Sequence, residues 1–509
     1  MKITLARRGS PWMLYGVLAG VLAVGLPLAR GDDASPATVA ELQRRVEQLD
    51  GIVRQMQSER LGAAPTPSNN ATESAIPQPD ADGVRATPVA SAMMDQPAVN
   101  YVYPGMPMLA GWDEGFYIQN ADKSFKLRIT GQLQADYRAY VDRPDTTDID
   151  TFLVRRARLG IEATMFDYYE FRLLPDFAGT SAGTLITDAY LNIHYVDEIQ
   201  FEAGKFKQPV SYEQLIQDRY VPFMERSMID QLVPARDVGA MIHGHKLFED
   251  RLEYAIAVSD GEINSTGSDS NNGKDVNARI AFRPFNSPDG GFLRYLEFGV
   301  SGGWGVENEA LNTTTNPITY KTPATVPWFS YKSGVTADGL RTRLSPELVY
   351  YYRSLGFAAQ YYKEEQELQA TPATAIQNVQ IDGFYVMGSY LLTGEERTDY
   401  TQQIEPLRSF DPHCPACCPG AWEVLYRVSR LHVDSGVFQT GAAQLADPTK
   451  YSPGATETTL GFNWYLNKWV RTQFNWEHAW FDNPVALGTA PNSLATHQDT
   501  VYVRLQFIF

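Results

Sequence analysis

Three cysteines within five residues are the side chains of this chain whose spacing suggests the most specific chemistry. Cys414, Cys417 and Cys418 follow His413 in the run HCPACCP. A Cys-x-x-Cys pair beside a histidine is a conceivable zinc-binding set, although structural zinc sites usually join distant segments. In an exported protein the same spacing favours a disulfide that closes the loop and leaves one cysteine over. We therefore predict a disulfide among these three cysteines, no metal site and no cofactor.

Two other patterns resemble catalytic or metal-binding motifs but lack the context that such motifs need. Gly299–Gly303 (GVSGG) matches the G-x-S-x-G pattern of serine hydrolases. That pattern requires a strand–turn–helix elbow to expose the hydroxyl, whereas this stretch is strand-like with no helix after it. His243 and His245 share one face of a strand, as a metal-binding pair would, but two nearby histidines are weak evidence and are better explained as polar residues lining the interior. We predict that the protein is not an enzyme, with no catalytic residue.

Basic side chains recur on the polar faces of alternating strands, where they could attract anions. Nine such residues are Lys126, Arg128, Arg138, Arg156, Arg158, Arg172, Arg427, Arg471 and Arg504. Six acidic residues share those faces, namely Asp136, Glu162, Glu170, Asp176, Glu423 and Glu477. Fixed charge in a narrow constriction selects ions by sign. The alternative is that these side chains are only the polar lining that any water-filled barrel has.

The elements that would position these residues are long strands with a period of two. Between Phe125 and Val141 apolar side chains occupy one face and polar side chains the other. Similar alternation recurs around residues 157–164, 189–195, 459–466 and 470–477. Strands of soluble sandwiches are mostly 5–6 residues long. A tilted strand that crosses a bilayer needs roughly 9–11 residues, so the pattern favours a transmembrane β-barrel.

The last strand supports the same prediction. Val501, Val503, Leu505, Phe507 and Phe509 lie on one face. A barrel must pair its last strand with its first, because an open edge cannot lie in lipid. A terminal Phe509 is the assembly signal that bacterial barrels commonly carry, which implies the barrel assembly machinery as a partner. Residues 113–509 would give about 25 residues per strand in a barrel of 16 strands and about 22 in one of 18.

The N-terminal part has three segments of different composition. Residues 1–31 read as a secretory signal peptide with a basic start and an apolar run, an uncleaved membrane anchor being the alternative. Residues 35–60 carry a short heptad and predict a coiled-coil helix, or a single amphipathic helix on a neighbouring surface. The heptad positions are Val39, Leu42, Val46, Leu49, Val53 and Met56. Residues 61–112, rich in Pro, Ala and Ser, predict a flexible linker.

The overall composition excludes several classes of protein. The chain has 509 residues, a net charge of -17 and a hydrophobic fraction of 44%. An acidic balance argues against nucleic acid as a partner. Three cysteines are too few for a disulfide-dense scaffold. Beyond the N-terminus no run of about 18 apolar residues occurs, which excludes a bundle of membrane helices.

Several blocks in the body resemble the phosphate-selective porin family, porins O and P. They are Phe152–Leu159 (FLVRRARL), Gly204–Pro209 (GKFKQP) with Glu213, Glu225–Ser227 (ERS), Pro234–Gly239 (PARDVG), Ser389–Glu395 (SYLLTGE), Gly420–Glu423 (GAWE) with Arg427, and Asn463–Asn467 (NWYLN). The resemblance covers residues 116–509 and implies a homotrimer of 16-stranded barrels in outer-membrane lipid, with a long third loop folded into each pore. Some relatives also carry an N-terminal coiled coil similar to this one.

The third loop maps onto residues 207–236, which are apolar enough to be buried and lack strand alternation. Its basic candidates are Lys207, Arg219, Arg226 and Arg236, and four acidic residues match them: Glu213, Asp218, Glu225 and Asp230. The loop is not net basic, so this departs from the Arg and Lys clusters to which phosphate-selective relatives owe their selectivity. We expect this loop to be the pore constriction, while the sequence does not establish phosphate specificity.

Together these patterns predict an outer-membrane porin of a diderm bacterium, with its N-terminal segment in the periplasm. It would pass small hydrophilic solutes by passive diffusion, with anions or phosphate as a possible preference. The alternatives are an envelope-anchoring barrel with little conductance and a barrel enzyme.

Overall fold

The computed structural model describes residues 101–103, 106–141, 149–178, 185–261, 272–311, 318–488 and 493–509. The predicted signal peptide, the predicted coiled-coil helix and residues 61–100 of the predicted linker lie outside the described residues. No helix within the described part is long and apolar enough to span a membrane.

The described chain is mostly strand, with 21 strands in chain order. They are β1 (Tyr101–Tyr103), β2 (Met106–Trp112), β3 (Phe116–Asn120), β4 (Phe125–Val141), β5 (Thr151–Met165), β6 (Tyr169–Pro175), β7 (Ile186–Val196), β8 (Ile199–Lys207), β9 (Arg236–Lys246), β10 (Leu252–Ser259), β11 (Asp275–Phe282), β12 (Tyr295–Ala310), β13 (Thr319–Lys321), β14 (Pro327–Ser330), β15 (Thr336–Tyr352), β16 (Leu355–Gln369), β17 (Gln377–Leu391), β18 (Ala421–Val433), β19 (Gly454–Tyr465), β20 (Val470–Ala486) and β21 (Leu494–Ile508).

Sixteen of these strands form a closed antiparallel barrel. Strands β4 to β12 and β15 to β21 each pair with the next of the set. The barrel closes where β21 pairs with β4, from Asp499 opposite Val141 to Ile508 opposite Gln132. The all-β, 16-stranded barrel that the sequence predicts is therefore confirmed, and the 18-stranded alternative is excluded.

The two faces of each strand differ in polarity, as the alternation requires. On β4 the outward Leu133 is 46% exposed, whereas its inward neighbour Gln134 is fully buried. Apolar side chains also dominate the outward positions of β12 and β21. An apolar outer face with a polar interior is the arrangement that a barrel needs in a bilayer.

Three short strands complete the seam of the barrel. β3 pairs with the first residues of β4, from Phe116 opposite Ile129 onwards, and β2 and β1 extend this sheet. The backbone of Phe509 exchanges two hydrogen bonds with Gly131, and its ring stacks on Trp112. The sequence predicts a linker up to residue 112, whereas strands begin at residue 101. These strands are too short for their alternation to stand out.

The two ends of the barrel differ in the length of their connections. One end carries mostly short turns, including α2 (Leu247–Asp250) after β9, and it also holds the 3₁₀ helix Pro288–Leu293 before β12. The other end carries the longer connections, including α1 (Tyr212–Leu215), the 3₁₀ helix Met228–Gln231 and the 3₁₀ helix Ser435–Phe438. In bacterial barrels short turns face the periplasm and long loops face outward.

Three connections fold into the barrel. We call residues 208–235 the inner loop, residues 318–335 the inner hairpin, and residues 392–420 the short-turn insert. The inner hairpin crosses from β12 to the opposite wall, where the amide of Ala324 donates to Glu477 Oε2 over 3.0 Å. The short-turn insert enters from the other end, and Asp399 Oδ1 accepts a 3.2 Å hydrogen bond from the Tyr212 hydroxyl of the inner loop.

Candidate permeation site

The inner loop packs against the wall formed by β18 to β21. Three buried arginines of that wall donate to backbone carbonyls of the loop. Arg427 Nη1 lies 2.9 Å from the carbonyl oxygen of Glu225, and Arg471 Nη2 lies 3.0 Å from that of Val221. Arg504 Nη1 donates to the carbonyl of Met224. The predicted lining residues Arg427, Arg471 and Arg504 therefore lie behind the loop and contact its backbone.

Local contacts fix the shape of the inner loop. The Ser211 hydroxyl accepts from the amide of Gln214 and so caps α1. The carboxylate of Glu213 accepts hydrogen bonds from the amide and the hydroxyl of Ser227, which joins the two halves of the loop. Apolar residues between these points, Ile216 and Phe223 among them, are buried in the interior cluster. Caps and buried apolar side chains hold the loop in one place although it lacks regular secondary structure.

Asp218, on the inner loop, is surrounded by arginines. Its carboxylate lies 3.3 Å from Arg156 and 2.8 Å from Arg226, and it also pairs with Arg158. Arg236 lies further away, at 3.8 Å. Burial alone would raise the pKa of Asp218, but the neighbouring guanidinium groups outweigh burial and hold this pKa well below its usual value. Asp218 is therefore a charged carboxylate at neutral pH.

Glu225 is the second carboxylate of the inner loop that holds several arginines. Its side chain lies 2.8 Å from Arg138, 2.8 Å from Arg155 and 3.0 Å from Arg504. Burial would raise the pKa of Glu225, but Arg155, Arg504 and their neighbours lower it well below its usual value. Asp136 on β4 shares Arg138 and Arg504 with Glu225, which ties the loop to the barrel seam.

Arg155 lies inside the barrel because β5 contains a bulge. Gln134 lies opposite Arg156 while the next residue of β4, Ala135, lies opposite Val154, so Arg155 is the extra residue. A bulge breaks the strict alternation and turns an additional side chain to the same face. Sequence reasoning missed Arg155 because alternation from Arg156 assigns it to the outer face. Two adjacent arginines in a strand were the only available signal.

Two cavities lie between the inner loop and the wall of β4 to β8. The Arg158 cavity has a volume of ≈ 230 Å³ and the Arg128 cavity, nearer the short-turn end, ≈ 410 Å³. Arg172, Tyr190, Gln217 and Arg219 line both cavities, so the two cavities adjoin.

Basic side chains outnumber acidic ones in both cavities. The Arg158 cavity has Arg158, Arg172, Lys207, Arg219 and Arg236 against Asp188, Glu202 and Asp218. The Arg128 cavity has Lys126, Arg128, Arg172 and Arg219 against Glu114, Glu162 and Glu170. The excess of positive charge is one or two in each, in a chain that is acidic overall.

The predicted basic residues at these cavities have different partners. Arg128 and Arg172 both pair with Glu162, and Lys207 donates to backbone carbonyls of Gln214 and Ile216. Lys126 lies 5.1 Å above the ring of Tyr117, and Arg219 lies 5.3 Å from the ring of Tyr220. Among the ion pairs of the described residues, Lys126 and Arg219 have no carboxylate partner. Lys207 likewise has no carboxylate partner among the described ion pairs, so all three cations lack a paired negative charge.

The sequence did not identify further arginines inside the barrel, because the inward and outward positions of their strands had not been assigned. Arg279 pairs with Glu253, Glu297 and Glu347, and Arg341 pairs with Asp275. These residues lie on the wall of β10 to β15, where cations and carboxylates alternate between neighbouring strands.

The other motifs lie apart from the cavities. Cys414 and Cys417 form a disulfide in the short-turn insert, and Cys418 keeps a free thiol. Gly299–Gly303 lies within β12, and its Ser301 hydroxyl accepts a hydrogen bond from the amide of Ser211. His243 Nε2 lies 3.3 Å from Asn192 Oδ1. Within the described ranges, no group of three or more His, Cys, Asp or Glu side chains could hold a metal ion.

Comparison with known proteins finds a matching family model, a similar sequence and similar solved structures. The family model described as phosphate-selective porin O and P matches residues 127–509. Porin O of Pseudomonas aeruginosa is 23% identical over 435 residues, which are 78% of this chain and 91% of that protein. Among solved structures, OmpT of Vibrio cholerae in its trimer form has a TM-score of 0.44 at 11% identity, covering 76% of this chain and 100% of that one. OmpF of Salmonella typhi has a TM-score of 0.42 at 12% identity, covering 79% and 100%.

Proposed function

This chain belongs to the phosphate-selective porin O and P family, and we propose that it passes small hydrophilic solutes across the outer membrane with a preference for anions. The observation that carries the preference is the excess of basic side chains in the two adjoining cavities. Charges fixed in a narrow path with low-dielectric walls act on permeating ions more strongly than the same charges on an open surface.

The inner loop acts as the constriction in this proposal. It fills the half of the interior that faces β18 to β21 and leaves the cavities against β4 to β8. Solutes therefore pass Arg219 and Lys126, whose charges have no carboxylate partner in the described residues. Arg427, Arg471 and Arg504 serve to anchor the loop, while Lys126, Arg128, Arg158, Arg172, Arg219 and Arg236 face the path.

One observation favours the alternative function, a barrel that anchors the envelope and conducts little. The inner hairpin and the short-turn insert also fill the interior, and Trp328 and Phe329 are fully buried there. The porin proposal accommodates this packing, because a narrow path between filled regions gives a small but selective conductance.

The proposal includes a homotrimer that meets at the barrel seam. Phe152, on β5 beside the seam, is 83% exposed, and Ile149 and Val154 form an apolar ridge with it. An apolar ridge of this kind is suited to a protein neighbour. The mass of the protein in detergent, measured by native mass spectrometry, tests the trimer, and a monomer for the wild type would contradict it.

Planar-bilayer recording tests the proposed function. The wild type is expected to give discrete channels, and in a KCl gradient the reversal potential should have the sign of chloride selectivity. Deleting residues 212–232 is expected to increase single-channel conductance, because the constriction is removed. Absence of channels would favour the anchor, and a potassium-selective potential would contradict the anion preference.

A further inference from the structure

The geometry points to Asp218 as the residue that sets the strength of ion selectivity. We propose that this single carboxylate offsets the arginines of the Arg158 cavity and so restrains the anion preference. This inference rests on the proposed function and deepens it, since it names the side chain that determines how selective the path is.

Asp218 differs from the other carboxylates by its position and its number of partners. It lines the Arg158 cavity and has Arg156, Arg158, Arg226 and Arg236 within 4 Å. Its side chain is only 2% exposed, so water screens these pairs weakly. No other carboxylate of the described residues has four arginine partners.

The partners depend on Asp218 to different degrees. Arg158 also pairs with Asp176, Arg226 lies near Asp230, and Arg236 pairs with Asp188. Within the described part of the chain, Arg156 pairs only with Asp218. Replacing Asp218 with a neutral side chain therefore leaves the positive charge of Arg156 uncompensated, while the other three arginines keep a second carboxylate.

The residues that line the Arg158 cavity show how much its fixed charge changes when Asp218 is neutralised. With Asp218 present, five basic side chains face three acidic ones, and without its charge they face two. The excess of basic over acidic side chains in the Arg158 cavity therefore rises from two to three. Counter-ion concentration in a confined, weakly screened site responds steeply to such a change.

The decisive experiment compares reversal potentials of D218N and the wild type in a KCl gradient. The permeability ratio of chloride to potassium in D218N should increase at least about twofold, because the cavity loses one of its fixed negative charges. An unchanged or lower ratio in a conducting D218N channel would overturn the inference.

Three further variants separate charge from structure. E457Q removes an equally buried carboxylate that pairs with Arg427 and lines neither cavity, so its ratio should stay at the wild-type value. D218E keeps the charge and should keep the ratio. The double variant D218N/R156Q restores the balance, and its ratio should return to that of the wild type. A purely structural role predicts no such return.

If D218N does not fold, the variant R156Q still tests the inference. R156Q alone removes one cation and keeps the carboxylate, so its ratio should fall below that of the wild type. An R156Q ratio equal to or above that of the wild type would overturn the inference. If the wild type itself forms no channel, the proposed function fails. If the wild type conducts but the variants do not give the expected ratios, only the inferred role of Asp218 fails.

Discussion

Single residues inside this barrel act through ion pairs that extend between strands and the inner loop. Asp218 and Glu225 hold seven arginines between them, four on Asp218 and three on Glu225. Removing one member of a buried pair leaves an uncompensated charge, which costs more than the pair contributes when intact. The charge of the path therefore depends on which arginines keep a carboxylate partner.

At the seam one glycine allows the last residue to pack. A Cβ added to Gly131 would lie 2.1 Å from a ring carbon of Phe509, which is far inside contact distance. We predict that Gly131→Ala destabilises the barrel by about 1–3 kcal/mol, because the ring must shift in a packed site. Samples are heated at a series of temperatures before gel electrophoresis, and the temperature at which the folded band disappears measures the effect. Gly388→Ala, where a Cβ meets nothing within 4 Å, is the matched control and should unfold like the wild type.

Asp230 gives a prediction about pH. Burial raises the pKa of Asp230 to about 6, and Arg226 at 3.8 Å offsets this only in part. The ordinary value is about 3.9, so the folded state holds this proton more tightly than the unfolded state. The resulting stability is complete below about pH 4 and is lost as pH rises through 6.

The unfolding temperature of the wild type should therefore fall between pH 5 and pH 7.5 more than that of Asp230→Asn. The two proteins are compared in the same detergent by thermal unfolding. Parallel pH dependences would contradict the raised pKa.

At the scale of elements, the inner hairpin and the β18–β19 connection form one aromatic cap. The amide of Lys332 donates to the carbonyl of Leu445, and the amide of Ser452 donates to that of Trp328. Phe329 lies 5.0 Å from Tyr331 and within 6.5 Å of four more aromatic rings, measured between centroids. Such a cluster holds both connections against the interior wall.

Loosening this cap should widen the path. We predict that Trp328→Ala, which removes a fully buried ring, costs about 3–5 kcal/mol locally and raises single-channel conductance. Trp304→Ala, on the outward face of β12, should leave conductance unchanged. Equal conductance in wild type and Trp328→Ala would show that the cap does not limit the current.

The strands could be predicted from the sequence far better than the connections. Alternation located β4 from Phe125 to Val141 because each side chain faces either lipid or water. The inner hairpin went unnoticed, since its burial depends on contacts with Glu477 and with the β18–β19 connection, which are distant in sequence. Alternation also placed basic residues on the inner face, but it could not tell that Arg427 contacts the loop while Arg128 faces a cavity.

At the scale of the whole molecule, the proposed ion preference depends on where the charges lie rather than on the net charge. The net charge is -17, yet the cavities between the inner loop and β4 to β8 carry an excess of basic side chains. Three in-folded segments occupy much of the remaining interior, and a cavity of ≈ 290 Å³ remains between the inner loop and β9 to β11. In the proposed function the barrel supplies the wall, and the segments folded into it define the path and its charge.

The central claim is that solutes pass between the inner loop and β4 to β8, beside Arg219. The most direct measurement is modification of Arg219→Cys by a negatively charged methanethiosulfonate during bilayer recording, in a Cys418→Ser background. Val424→Cys, on the outward face of β18, serves as the control. Current through the Arg219→Cys channel should fall in irreversible steps while the control is unaffected. Undiminished current through protein whose modification is verified by mass would contradict this path.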